Sequence, residues 1–494
     1  MRPQKNNNSS SKNTTMKTIR EEEDKTTSTM KIAICGGGPS ALTLAAILSR
    51  EGGDDAFDIS VFERGEATRD QGSGWDLSSE SQAALKRAGL DPDDVQRLGS
   101  DTARFFSVTQ ERPLYCLRMP TILERAGIKK GHIGLDDMGL ESERNKIIDG
   151  LTNALGANVK IYYESYVSEV KKDEDGTVEL VGHDGRSYGK FDLIVDASGV
   201  NSSARHCRFG KKADAFYTGQ TVIQGKLDNP EKTLAPSIVD RLGEGSLLVV
   251  GPSADGKGTT ELSLQRYGAA FEDKMATVNL SAYTEKPEDL FEELNIGRGG
   301  INSKDDTLKR VKDYAKNRLS NDGWSEEYRE IFDNISGVRI LPIKMHPSRD
   351  ITMQEVVPGS NGLAFIGIGD SLHALPPWSG MSGNYALMDA ADLATALLEE
   401  QKSNWTPSSI ARLMRAEEVF FMERTEDKRD HCLQVNPNYL ESYLQSTPAC
   451  EYDFISAHLI GKPFSWTNIT AVFIAAYLRC ITLLNRIDNY GMRQ

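Results

Sequence analysis

Met30-Lys31-Ile32-Ala33-Ile34-Cys35-Gly36-Gly37-Gly38-Pro39-Ser40-Ala41 decides the fold. A short, mostly apolar run that ends in glycines reads as a buried parallel strand entering a tight turn. From Ser40 to Arg50, Ala41, Leu44, Ala45 and Leu48 recur at helical spacing, and Gly52-Gly53 supplies the stop. Asp58-Ile59-Ser60-Val61-Phe62-Glu63 is then a second strand, which completes a βαβ unit. The turn fits G-x-G-x-x-A: Gly36 and Gly38 let the backbone approach a pyrophosphate, and Ala41 permits close helix–strand packing. The helix N-terminus would face that phosphate. Glu63, 25 residues beyond Gly38, is placed to accept hydrogen bonds from ribose hydroxyls. Arg64 beside it reads either as a phosphate or adenine contact or as a surface arginine. The expectation is a nucleotide-binding Rossmann opening.

The 494 residues leave room for two or three domains. Lys and Arg number 58 against 72 Asp and Glu, and the net charge of -14 repels phosphate backbones and anionic membranes. Nucleic acid is therefore not expected as a partner, whereas a small anionic cofactor at a helix N-terminus is compatible with that field. Cys35, Cys116, Cys207, Cys432, Cys450 and Cys480 include no C-x-x-C pair and no cluster at metal spacing, so they read as reduced thiols with no metal. Residues 1–29 lack the apolar stretch of a signal peptide and read as a disordered, solvated tail. A mitochondrial presequence is the second reading, since the first twenty residues lack acids. Ile469 to Leu484 falls short of the roughly 20 residues of a membrane span and is interrupted by Arg479, so a docked helix without stable membrane insertion is expected. The location expected is cytoplasmic.

Further along, Val178 to Val181, an Asp184-Gly185 turn and Phe191 to Val195 read as a strand pair. Longer strands follow at Thr221–Leu227, Ser246–Val250 and Thr260–Leu264, with helices around 284–333. Leu363 to Ile368 returns to a short apolar strand, a helix runs from about Asn384 to Glu400, and 405–494 is mostly helical in composition. The expected class is α/β. A Rossmann-like domain comprises 30–101, 139–210 and 352–400, and a β-sheet domain comprises 102–138 and 211–351. The tail 1–29 and a C-terminal helical region 401–494 flank them.

The second informative segment is Gly367-Ile368-Gly369-Asp370-Ser371-Leu372-His373-Ala374-Leu375-Pro376-Pro377-Trp378-Ser379-Gly380. An Asp at the end of a buried strand is costly unless paired, and the hydroxyls of a polyol chain passing Asp370 would pair it. Pro376-Pro377 lacks two N–H groups and has fixed φ, which makes a rigid apolar wall for a flat ring. Gly380 to Gly383 let backbone N–H groups point at a ring oxygen as a helix starts at Asn384. The bland alternative is a Pro-rich loop with an Asp turn, and His373 reads as a histidine satisfied by its neighbours.

The order GGGPSA, VFER, GDSLHALPPWSG resembles the class A flavoprotein monooxygenases related to para-hydroxybenzoate hydroxylase, over most of residues 31–400. Arg69-Asp70-Gln71-Gly72-Ser73-Gly74-Trp75-Asp76-Leu77, Ala84-Leu85-Lys86-Arg87-Ala88-Gly89-Leu90 and Asn321-Asp322-Gly323-Trp324-Ser325-Glu326-Glu327-Tyr328 are similar to the tetracycline-inactivating members. The resemblance implies an FAD-dependent enzyme in which NADPH or NADH reduces the flavin and O₂ adds at its C4a position. The oxygen then passes to a small aromatic, enolic or polyketide-like molecule, in secondary metabolism or xenobiotic modification. It also implies an NADPH contact at Arg69, FAD contacts at Asp76 and Arg144, the ribityl contact at Asp370 and a substrate contact at Gln224. Gln224 reads equally as an ordinary strand residue. Catalysis needs no protein nucleophile in such a scheme.

Two departures stand out. Ser198 replaces the acidic residue most of the family has before Gly199, and Met381-Ser382-Gly383 replaces the usual Gln-Gly-x before Asn384. Gly251-Pro252-Ser253-Ala254-Asp255-Gly256-Lys257-Gly258 nearly spells a P-loop but lacks the Ser/Thr after Lys, so a hairpin loop is expected. Rival readings are another FAD oxidoreductase, such as an epoxidase or dehydrogenase, and a flavin-bound module without enzymatic activity.

Overall fold

The computed structural model describes residues 29–67, 74–98, 102–108, 115–118, 140–172, 178–243, 245–256, 258–267, 275–295, 305–357, 360, 363–403 and 405–435. Arg69, the tail up to residue 28 and the Ile469–Leu484 stretch lie outside these residues.

Every residue of β1 (Met30–Cys35) except Lys31 is buried, as an apolar run enclosed on both faces requires. In α1 (Pro39–Gly52), Pro39 occupies the first turn, where a missing N–H costs nothing. Residues 39–49 are all buried, so α1 is enclosed on every side rather than along one stripe. The single apolar face read from the sequence understated this, because Ser40, Thr43 and Ser49 are small enough to pack inside. β2 (Phe57–Phe62) pairs parallel with β1, in register from Met30↔Phe57 to Cys35↔Phe62, and the helices α2 (Ser79–Arg87) and α3 (Arg144–Asn153) come after it in the chain.

In chain order come β3 (Thr102–Ser107), β4 (Tyr115–Arg118), β5 (Val159–Tyr162), β6 (Leu193–Asp196), β7 (Phe216–Asp228) and β8 (Ser246–Pro252). β9 (Thr259–Tyr267), β10 (Met275–Tyr283), β11 (Ile335–Met345) and β12 (Phe365–Gly367) follow. A five-stranded parallel sheet has the order β12-β6-β1-β2-β5. The pair expected to end at Val195 is instead Val178–Gly182 with Ser187–Phe191, and Leu193–Asp196 joins the parallel sheet. Asp192 at the junction accepts the Lys31 N–H at 2.8 Å, which directs the chain into the layer.

The second layer is a seven-stranded sheet, β11-β7-β10-β9-β8-β3-β4, antiparallel except where β8 meets β3. One face packs Ile223, Leu262, Leu264, Val278 and Leu280 against helices α4 (Pro287–Leu294), α5 (Asp305–Asn321) and α6 (Glu326–Glu330). The opposite face carries Gln224, Glu261, Ser263 and Asn279, as the period of two demands. The near-P-loop closes the β8–β9 hairpin, with Ser253 N–H bonded to Gly258 O.

Two long helices complete the parallel layer: α7 (Ser382–Gln401) and α8 (Pro407–Val435). Glu418 of α8 pairs with Arg208 at 2.8 Å, both almost fully buried. Breaking one partner of such a pair strands a charge in a dry interior. Leu44, inside α1, has no exposed surface. Leu44→Ala should lower unfolding stability by about 2–5 kcal/mol, read as an earlier urea midpoint; an unchanged midpoint would contradict the enclosed position of α1.

Candidate functional site

The turn after β1 runs against the backbone of β6. Gly36 has φ +102, and a Cβ there would stand 2.5 Å from the Ala197 carbonyl oxygen, so only glycine fits. Gly38 caps the N-terminus of α1 without any side-chain cap, which leaves first-turn N–H groups for an anion. A Cβ at Gly38 would lie 3.9 Å from the Arg144 guanidinium, so Arg144, the first residue of the Arg144–Asn153 helix, reaches the mouth of the turn. The Glu63 carboxylate accepts from Gly37 N–H at 2.7 Å and Gly65 N–H at 2.6 Å, and is buried. It thereby braces the turn from the end of β2. Arg64 is exposed.

Gly369 brings the second segment to the same place. Its φ is +59, a Cβ there would meet Ala386 at 2.7 Å, and Ser40 Oγ lies 3.8 Å from that point. The loop after β12 thus abuts the first turn of α1. Asp370 opens the short helix Asp370–His373 and is exposed, its carboxylate accepting the Ser382 hydroxyl. This corrects the expectation of a buried carboxylate in need of an outside partner. The buried acid is Asp389 of α7, which accepts Gly369 N–H at 2.8 Å and His373 Nε2 at 2.6 Å, with Arg424 of α8 on its other oxygen. Together these hold its carboxyl below the usual range despite burial.

Pro376 is buried but Pro377 is exposed, so the apolar wall is one proline deep. α7 begins at Ser382, two residues before the expected start. Asn384 is buried and spends both ends of its amide on backbone, donating to Asp76 O and accepting from Ser78 N, each at 2.9 Å. Gly383 meets the Trp75 ring, where a Cβ would stand 2.8 Å away. Asp76 keeps solvent contact, while its partly desolvated surroundings push the carboxyl up to about 6. Ser198 donates to the fully buried Asp196 carboxylate through both N–H and hydroxyl. Its departure from an acid avoids a second negative charge beside Asp196, whose carboxyl burial already pushes up.

No protein-family model matches the chain. It is 24% identical to aurachin C monooxygenase/isomerase of Stigmatella aurantiaca over 383 residues, 78% of this chain and 84% of that protein. It is also 24% identical to the FAD-dependent monooxygenase thnD of Trichoderma harzianum, over 76% of this chain and 85% of that one. Among solved structures, Klebsiella pneumoniae HpxO with FAD and uric acid superposes with a TM-score of 0.61 at 16% identity, covering 88% of this chain and 98% of that one. The tetracycline destructase Tet(51) gives 0.56 at 16%, covering 88% and 99%. Both curated relatives are named as monooxygenases, in agreement with the resemblance to the class A FAD-dependent monooxygenases drawn from the sequence.

Gln224 lies in the inserted seven-stranded sheet, apart from the glycine turns. Its Nε2 donates to Asn279 Oδ1 at 2.9 Å, and Asn279 Nδ2 donates to Ser263 at 3.3 Å, a polar row across β7, β10 and β9. One register step along, Ser281 stands between Val222 and Glu261. Glu261 is half-buried, and burial pushes its carboxyl up to about 7. Sequence reading passed over Glu261, although the alternation Thr259, Glu261, Ser263, Gln265 marks one polar face. It also missed Asp389 and Arg424, whose meeting depends on how α8 docks.

The folded chain binds a proton at Glu261 more tightly than the unfolded carboxyl does near its ordinary 4.5. The resulting stability is present below that value and lost as pH rises through about 7. Glu261→Gln should therefore raise the urea midpoint relative to the parent at pH 8, with the gain shrinking toward pH 4; a gain independent of pH would refute the assignment.

Proposed function

We propose that this chain is a monooxygenase that binds FAD across the two glycine turns and uses NADPH or NADH and O₂ to hydroxylate a small aromatic, enolic or polyketide-like molecule held on the polar face of the inserted sheet. The observation that carries the reading is the convergence on the first turn of α1 of Gly36, Gly38, Glu63, Arg144 and Gly369, drawn from four separate stretches of chain. Such a cradle has first-turn N–H groups without a side-chain cap and a cation at its mouth, which fits a diphosphate.

In this proposal the α1 N-terminus and Arg144 hold the diphosphate. Glu63 turns toward ribose hydroxyls without leaving Gly37, since a carboxylate accepts several hydrogen bonds. Asp370 and Ser382 meet the ribityl chain, and Asp76, Gly380, Gly383 and Asn384 shape the ring edge. Ala41 keeps α1 close to its strand. Bound flavin supplies the redox and oxygen-activating chemistry that no side chain can. Pro376, Pro377 and Trp378 limit water at the ring, and Gln224 and Glu261 orient the substrate, Glu261 as a proton acceptor near neutrality. Arg69 is assigned to NADPH on family resemblance alone. The division at 30–101, 139–210 and 352–400 against 102–138 and 211–351 belongs to the same reading.

Purified protein should be yellow, oxidise NADPH faster with a phenolic or polyketide ligand, and place oxygen-18 from O₂ in the product. Asp370→Ala, at an exposed position, should fold normally yet bind FAD about tenfold or more weakly. Unlabelled product, or full flavin retention in the variant, would count against the respective part.

A further inference from the structure

A small cavity lies behind the loop that carries Asp370, between the end of β11, the short helix Asp370–His373 and α8. His346, His373, Thr352, Thr425, Arg349 and Arg429 line it. The two imidazoles are 2% and 5% exposed. Nδ1 of His346 accepts the Ala374 N–H at 2.9 Å, which leaves the ring proton of the neutral imidazole on Nε2. Nε2 of His373 donates to the Asp389 carboxylate, so its Nδ1 is an acceptor in the neutral ring. Neither His346 Nε2 nor His373 Nδ1 meets a partner among the described residues. Two residues that line one cavity therefore carry a buried donor and a buried acceptor, an arrangement costly to leave unsatisfied.

Both arginines at the cavity are already paired. Arg349 pairs with Asp350 and Glu423, and Arg429 pairs with Glu426 and Asp430. Burial first, then neighbouring positive charge, Arg205 foremost, hold His346 well below the usual imidazole range. The site thus offers a complementary pair of hydrogen bonds beside arginines that are already paired.

We propose that this cavity is a binding site for one small neutral molecule with both a donor and an acceptor, water in the resting protein, which accepts from His346 Nε2–H and donates to His373 Nδ1. The molecule closes a circuit that leaves the loop at Ala374 N–H, passes through His346, the bound molecule, His373 and Asp389, and returns to the loop at Gly369 N–H. Both ends of the Asp370–His373 helix are then tied. His346, the residue that follows the last of β11, becomes a positioning residue for Asp370; this consequence, though not the site itself, rests on the proposed role of Asp370.

Two measurements on the full chain test the site without variants. A crystal structure at about 1.2 Å should show one ordered water within roughly 2.7–3.2 Å of both nitrogens. Nitrogen-15 histidine spectra should show His346 neutral with its proton on Nε2 from pH 5 to 9. An empty cavity, or an Nδ1-protonated or titrating His346, overturns the proposal. For the positioning role, His346→Leu should weaken FAD about tenfold without lowering the melting temperature of the apoprotein in proportion. His346→Gly should regain FAD affinity with added imidazole. Equal FAD affinity in parent and His346→Leu, or no rescue by imidazole, overturns that role. If the parent binds no FAD, the proposed function and the positioning role fall, and the site stands or falls on the crystal and the spectra.

Discussion

The backbone contact between Gly36 and the Ala197 carbonyl is the constraint on which the site depends. Two strand ends, β1 and β6, are brought so close that a methyl group at residue 36 would overlap a carbonyl oxygen. That closeness lets α1 start directly at the sheet edge with its first N–H groups pointing outward. The β12 loop then reaches Ser40 because β12 pairs with β6 in the same plane. Without the bare turn the three strand ends would splay, and no single ligand could touch all of them.

The parts of this arrangement that were legible in the sequence are those with local causes. The βαβ opening, the glycine turn and the hairpin in place of a P-loop each follow from residues within a few positions of one another. What escaped was set by docking. Asp389 sits in Met388-Asp389-Ala390-Ala391, where a single acid on a helix reads as solvent-facing; it is fully buried because Gly369, His373 and Arg424 arrive from elsewhere. Asp370 went the other way. It stands beyond a buried strand, but the chain turns immediately into a short helix and carries its carboxylate outward.

The inserted sheet divides its labour by face. Its apolar side is sealed by helices and contributes stability, while its other side keeps amides, hydroxyls and one proton-holding carboxyl in a row. Because the rows are fixed by strand register, moving one strand by a single residue would exchange the two faces. The bulge near Gly225, where the β7–β11 register shifts, is the point at which that register is adjusted.

The order of strands in the parallel layer also sets a schedule for biosynthesis. β12 lies beside β6, yet roughly 170 residues separate them along the chain, and β7 to β11 of the second sheet are made in between. Even with two strands of the second sheet already made, a growing polypeptide presents the unpaired edge of β6 until residue 367 has left the ribosome, and the buried partner of Arg208 arrives later still, at Glu418. Chaperone demand during synthesis should concentrate in that interval.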